Sequence, residues 1–340
     1  MHVRRPILAF LVLGSAAAAA VNARPFSAAD GLSLGRGALL HAHNCYPEDG
    51  RWADRIDRAI ATGLQPLVLE QDLVWDSSRA QPVLSHGAPL SGSEPTLETH
   101  FFQRVRPIIE RALAEDRRDR WPILVLHLDF KTNEPEHHRA VWNLLGKYEA
   151  WLTWAPRLEG DTRQTLRPGP LLVLTEAGPG QEDAFYKTVP VGGKLRIFGA
   201  VPPEPVPSSG DRDADLRAAA SRPLMMLIPS GATNYRRWTN HSWAVVEEGG
   251  QARAGAWSAG EGLRLNSLVS RAHALGLWIR FYTLNGHAPD AGLGWTASYN
   301  FGSLEAVRRR WDAAIAAGVD FVATDQYEEF AARLARSSAR

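Results

Sequence analysis

The sequence predicts an α/β fold, a (β/α)8 TIM barrel in a single domain, on three observations. Short apolar runs recur along the chain, and helix-like segments separate them. Several runs are continuous rather than alternating, as parallel strands buried on both faces are. Eight strands in roughly 300 residues suit a closed barrel better than an open sheet.

In order, the expected strands are residues 37–43 (GALLHAH), 66–75 (PLVLEQDLVW), 122–131 (PILVLHLDFK) and 170–176 (PLLVLTE). Residues 194–201 (KLRIFGAV), 223–229 (PLMMLIP), 277–283 (LWIRFYT) and 320–325 (DFVATD) complete the set. Helical periodicity runs over residues 51–64, where Ile56, Ala59, Ile60 and Leu64 repeat on one face and Gly63 stands near the end. Residues 98–118, 263–277 and 303–319 read the same way. A Pro/Ser/Asp loop is expected over residues 200–215, and a Trp/Gly-rich insertion after the sixth strand, over 233–262. The barrel domain spans residues 37–335.

Before it, residues 1–23 carry Arg4 and Arg5, an apolar stretch, and small residues ending at Ala23. That is the layout of a secretory signal peptide, with residues 24–36 as an N-terminal segment. The expected location is therefore exported, periplasmic or extracellular. Lys plus Arg number 38 against 37 Asp plus Glu, a net charge of +1 that makes no electrostatic case for nucleic-acid binding. With Cys45 as the one cysteine, neither an intrachain disulfide nor a Cys-rich zinc site can form.

Barrel chemistry collects at the C-terminal ends of the strands. There the sequence offers His41, His43 and Asn44 from the first strand, Glu70 and Asp72 from the second, and His86 from the loop after it. The third strand adds His127, Asp129 and Lys131, and the eighth ends on Asp325. Strand residues two apart share a face, so Glu70 and Asp72 point the same way. Two carboxylates leaving an apolar run together repel and are costly to desolvate, so a cation or strong donors must compensate. Asp129 and Lys131 share a face likewise, as a structural ion pair or as part of the site. Asn44, Glu70, Asp72 and Asp129 form an all-oxygen set suited to one hard divalent cation, Mg²⁺ or Ca²⁺. Zinc would prefer more nitrogen or sulfur. His43 and His86 are then left to act as acid and base near neutral pH. His127 either lines the barrel mouth or packs; His137 and His138 are expected to be solvated, and Cys45 to be a buried thiol.

These motifs, AHNCY, LEQDLVWD with PVLSHG, LHLDFK, and the closing IRFYTLNG and AAIAAGVDFVATDQYEEF, resemble the PLC-like phosphodiesterase superfamily. That superfamily holds the glycerophosphodiester phosphodiesterases and the phosphatidylinositol-specific phospholipases C. HAHN also resembles the start of the branch called altered inheritance of mitochondria protein 6. The resemblance implies a metal-dependent phosphoric diester hydrolase acting on a small-molecule or lipid phosphodiester, with transient membrane-surface contact. It implies His43 and His86 as the acid/base pair, Asn44, Glu70, Asp72 and Asp129 as metal ligands, and Lys131 near the phosphate. His41 is expected to touch substrate, to orient His43 or to pack beneath it, and Asp325 to touch substrate, to orient a histidine or to cap the last strand. One departure stands out. Where the glycerophosphodiester enzymes begin His-Arg-Gly, this chain has Asn44 and Cys45, so the arginine that would grip phosphate is missing there.

Two other readings fit part of the pattern. His-x-His also opens amidohydrolases and histidinol-phosphatase-type metallophosphoesterases. The expected fifth and sixth strand ends carry no histidine, however, and Asp325-Gln326-Tyr327 is not Asp-x-His. A catalytically inactive, secreted lipid- or sugar-binding barrel is the other reading. Trp238, Trp243, Trp257 and the loop LGWTASYNFGS would then form its surface, unless those tryptophans pack against the barrel.

Overall fold

The computed structural model describes residues 37–48, 50–247, 255–288, 291, 293 and 300–338. The signal peptide expected over residues 1–23, the segment 24–36 and residues 294–299 of the LGWTASYNFGS loop lie outside the described residues. Along the chain run β1 (Leu39–Ala42), α1 (Arg55–Ala61), β2 (Leu67–Asp76), β3 (Gln81–Leu84), α2 (Gln103–Glu115), β4 (Leu124–Phe130), α3 (Pro135–Lys147), β5 (Ala155–Pro156) and β6 (Leu171–Thr175). There follow β7 (Lys194–Leu195), β8 (Gly199–Ala200), α4 (Arg212–Ala219), α5 (Leu224–Leu227), β9 (Arg236–Ser242) and α6 (Ala259–Ala274). The chain closes with β10 (Trp278–Tyr282), α7 (Leu304–Ala317), β11 (Phe321–Thr324) and α8 (Tyr327–Ser338).

Eight strands pair in parallel in the order β6-β4-β2-β1-β11-β10-β9-β8, and β3 folds back antiparallel on β2. A parallel bridge between Leu174 and Phe198, just before β8, brings the two ends of the sheet together. There the Phe198 amide donates to the Val173 carbonyl (3.1 Å) and the Thr175 amide to the Phe198 carbonyl (2.9 Å). The result is the expected (β/α)8 barrel. Register sets the site. His41 lies beside Val68, Glu70 beside His127, Asp72 beside Asp129, and Arg280 beside Asn240. With period-two alternation, these polar side chains emerge on the inner face while Leu40, Leu69, Leu73, Leu126 and Leu128 pack in the core.

The sixth strand is not where the apolar run predicts it. Residues 224–227 of PLMMLIP form the single turn α5, with Met225 exposed and Leu227 buried. A four-residue apolar stretch does not distinguish strand from helix by period. The strand is β9, RRWTNHS, inside the segment read as an insertion. It looks polar because its outer face buries Arg237, whose guanidinium donates to the Asn234 carbonyl (3.2 Å) and the Gln164 carbonyl (2.7 Å). Trp238 and Trp243 are fully buried, so they pack the barrel rather than form a surface. His137 and His138 are buried too, against expectation. His137 Nδ1 lies 3.1 Å from Thr132 Oγ1, and His138 Nε2 lies 3.2 Å from Asn133 Oδ1.

The outer helices are ordinary amphipathic segments with clear ends. Ser258 and Glu261 form a capping box on α6, and α7 stops at Gly318, whose φ of 77° is the left-handed region glycine favours. α7 also carries a buried ion pair. Arg310 donates through both Nε (3.0 Å) and Nη2 to Glu247, which accepts from Trp243 Nε1 as well (3.0 Å). Removing one partner of such a pair strands the other charge at a cost of about 3–5 kcal/mol. Arg310→Met is therefore expected to lower unfolding free energy by about that amount in urea titrations. Adding Glu247→Gln to that variant should recover part of the loss.

Candidate active site

A cavity of about 640 Å³ opens at the C-terminal ends of the barrel strands. Seven of the residues singled out in the sequence line it: His43, Asn44, Glu70, Asp72, His86, Asp129 and Lys131. His41 and Asp325 do not; they lie buried behind it. Asp325 follows β11 and accepts from His43 Nδ1 at 3.0 Å and from Asn44 Nδ2 at 3.1 Å. Its other oxygen accepts from Asn285 Nδ2 at 3.1 Å. Burial works against the Asp325 charge, but His43 and Arg55 more than offset it and hold the carboxyl below its ordinary range. Asp325 thus acts on the cavity through His43 and Asn44 rather than lining it. Asn44 sits at the turn after β1 with φ 53°, a left-handed conformation that asparagine tolerates better than most residues.

The carboxylates Glu70, Asp72 and Asp129 converge so that one oxygen of each lies within 4.8 Å of the others. Lys131 Nζ donates to Asp72 Oδ2 (2.9 Å) and Asp129 Oδ2 (2.7 Å). Burial opposes the lysine charge, yet the two carboxylates hold its pKa above the ordinary lysine value. Tyr46 donates to Asp72 Oδ2 (2.8 Å) and stands 3.2 Å from Asn44 Oδ1, which ties the asparagine to the acidic group. Asp72 Oδ1 is buried with no hydrogen-bond partner. Burial first, and then Asp129, raise the Asp72 pKa well above its usual range. Even with Lys131 on its other oxygen, such a carboxylate is short of positive charge. A hard divalent cation would supply it, and Glu70, Asp72 and Asp129 with the Asn44 amide oxygen are the donors suited to it.

His41, Glu70 and His127 also cluster, but their nitrogens are engaged. Arg280 Nε donates to His41 Nδ1 at 3.1 Å. A guanidinium only donates, so the proton of neutral His41 is on Nε2, facing His127 Nδ1 at 3.2 Å. The His127 proton is then on Nε2, facing Glu176 Oε1 at 3.1 Å. Burial, and then Arg280, hold the His41 pKa well below the imidazole value, which keeps this ring neutral. Burial also pushes the Cys45 thiol up to about 12, leaving it no nucleophile.

Five cavity residues escaped the sequence reading: Glu176, Arg212, Asn240, Arg280 and Tyr282. Arg212 opens α4 in what read as a loop, and Asn240 lies on the unrecognised β9. Arg280 had a visible signal: a charge within the apolar run LWIRFYT must have a buried partner. The true sixth strand carries His241, but it alternates with Asn240, bonds Thr239 Oγ1 (2.9 Å) and does not line the cavity.

No family model matches this chain, and no curated protein matches it. Among solved structures, the fold is similar to glycerophosphodiester phosphodiesterases. One from Parabacteroides distasonis is 12% identical, over 89% of this chain and 98% of that one, with TM-score 0.45. One from Agrobacterium tumefaciens is 14% identical, over 88% and 99%, with TM-score 0.39. Dihydropteroate synthase from Burkholderia cenocepacia is matched as well, at 16% identity over 89% and 91%, with TM-score 0.40.

Proposed function

We propose that this protein is a metal-dependent phosphoric diester hydrolase acting on a phospholipid-derived or glycerophosphodiester-like substrate by histidine acid-base catalysis. The observation that carries the reading is the buried Glu70–Asp72–Asp129 group, with Asp72 Oδ1 unpartnered, beside a histidine held by a buried aspartate. Mg²⁺ or Ca²⁺ held by Asn44, Glu70, Asp72 and Asp129 would supply Lewis-acid stabilisation of the phosphate charge. The chain's own residues do the rest. His43 Nδ1 is held on Asp325, so Nε2, 3.9 Å from Glu70 Oε2, is the nitrogen that exchanges a proton with substrate. Asp325 also stabilises the imidazolium that forms. His86, exposed at the cavity rim, takes the opposite role on the other side of the phosphate. Lys131 supplies a cation beside the carboxylates and neutralises phosphate oxygen. The export signal over residues 1–23 would place this chemistry outside the cytoplasm. Among the described residues no helix is long and apolar enough to cross a membrane.

The test is a panel of lysophospholipids, phosphatidylinositol, glycerophosphodiesters and an aryl phosphodiester, each with cation and with EDTA. Turnover of at least one diester that EDTA abolishes is expected; no turnover on any would sink the reading and favour the inactive binding barrel. Asp325→Asn is expected to cost turnover at least about tenfold, part of the full acid-base contribution. Half-saturating cation concentration should change less than turnover, because Asp325 reaches the cation donors only through Asn44 Nδ2. An equal loss of cation affinity would mean that Asp325 acts elsewhere than through His43.

A further inference from the structure

We propose that Arg280, delivered by the seventh barrel strand, is the phosphate-gripping arginine of this site. The inference rests on the phosphodiesterase reading above and names a binding residue within it. The chain has Asn44 where a first-strand arginine would stand, which leaves the substrate's anionic group short of a fork-shaped donor. Arg280 lines the cavity from β10, although its side chain is almost fully buried. Its plane is fixed on several sides. Nε donates to His41 Nδ1 (3.1 Å), Nη1 to Asn240 Oδ1 (2.9 Å) and Nη2 to Glu70 Oε2 (2.8 Å). Tyr282 lies against the guanidinium, 5.2 Å from ring centroid to Cζ.

These contacts use three N–H groups, and a guanidinium carries five. Among the described residues nothing takes the second N–H of Nη1 or of Nη2, which leaves both for a ligand. The holding frame is itself closed: Asn240 Nδ2 donates to Glu176 Oε1 (2.7 Å), which also accepts from His127 Nε2, and His127 Nδ1 accepts from His41. A guanidinium held this rigidly loses little freedom on binding, and paired N–H donors match the spacing of two phosphoryl oxygens. The hydrogen-bond chain beneath the cavity therefore has a use: His41, His127, Glu176 and Asn240 aim Arg280.

The test pairs kinetics with a soak. Arg280→Lys keeps the charge beside Glu70 and loses the fork. It should raise KM for an aryl phosphodiester, and the inhibition constant of inorganic phosphate, about tenfold or more. Because lysine keeps a positive charge beside Glu70, the half-saturating cation concentration should change by less than either constant, a split that a general loss of structure would not produce. If wild type hydrolyses diesters and Arg280→Lys keeps both constants, Arg280 is not the grip. Should Arg280→Lys fail to fold, crystals of wild type soaked in tungstate decide. Anomalous density within hydrogen-bond reach of the Arg280 Nη atoms supports the proposal; density elsewhere, or none, overturns it. Density on Arg280 in a protein that hydrolyses no diester would support the anion grip and sink the hydrolase reading alone.

Discussion

Replacing His43 with alanine is expected to lower turnover on every hydrolysed diester by about a hundredfold or more, the scale of a lost general acid or base. The expectation follows from where the ring is tied. Asp325 Oδ1 accepts from Nδ1 at 3.0 Å, and Asp325 is itself anchored by Asn285. Nε2 stands 3.9 Å from Glu70 Oε2, at the edge of the carboxylate group. A substrate held at those carboxylates meets Nε2 and no other nitrogen of that ring. The main-chain frame should survive the change, because the His43 carbonyl still accepts from Tyr327. Steady-state kinetics with a check of the melting temperature measures it. Wild-type turnover in His43→Ala would remove the ring from the mechanism, and the same variant series at His86 separates the two histidines.

Asp72→Asn should move two readouts in opposite directions. In the absence of cation, Asp72 is a buried carboxylate facing Asp129, with one oxygen unpartnered and a pKa raised by burial and that neighbour. Removing its charge relieves the repulsion, so the cation-free variant should melt higher than cation-free wild type. The same change removes a ligand. Outer-shell changes alone cost about 10–100-fold in metal affinity, so Mg²⁺ or Ca²⁺ binding should weaken by more than about 100-fold, read by calorimetry. The stabilisation that wild type gains on adding cation should disappear. A variant that melts lower without cation and still gains stability with it would mean that the cation sits elsewhere.

Much of this site could be read from strand parity. Glu70 with Asp72, and Asp129 with Lys131, are spaced two apart in apolar runs, and spacing alone puts each pair on one face. All four line the cavity. His43 and Asn44 follow from their place at the end of β1. What escaped reading lies on strands whose outer face is also polar. β9 buries Arg237, Thr239 and His241, so hydrophobicity does not mark it, and Asn240 was lost with it. Arg280 was passed over for another reason. Its partners His41, Glu70 and Asn240 come from three other strands, and such a set meets only when the barrel closes. Asp325 and His41 show the limit of a one-dimensional reading: both sit at a strand end, yet Asp325 holds His43, Asn44 and Asn285, and His41 meets Arg280 and His127.

The most direct test of cation-dependent diester hydrolysis is the rate on one aryl phosphodiester measured three times on the same preparation. It is measured as purified, after EDTA, and after Mg²⁺ or Ca²⁺ is returned. The site described here predicts a rate that falls to background in EDTA and returns with the cation. Turnover indifferent to EDTA, or none in any of the three states, would contradict it.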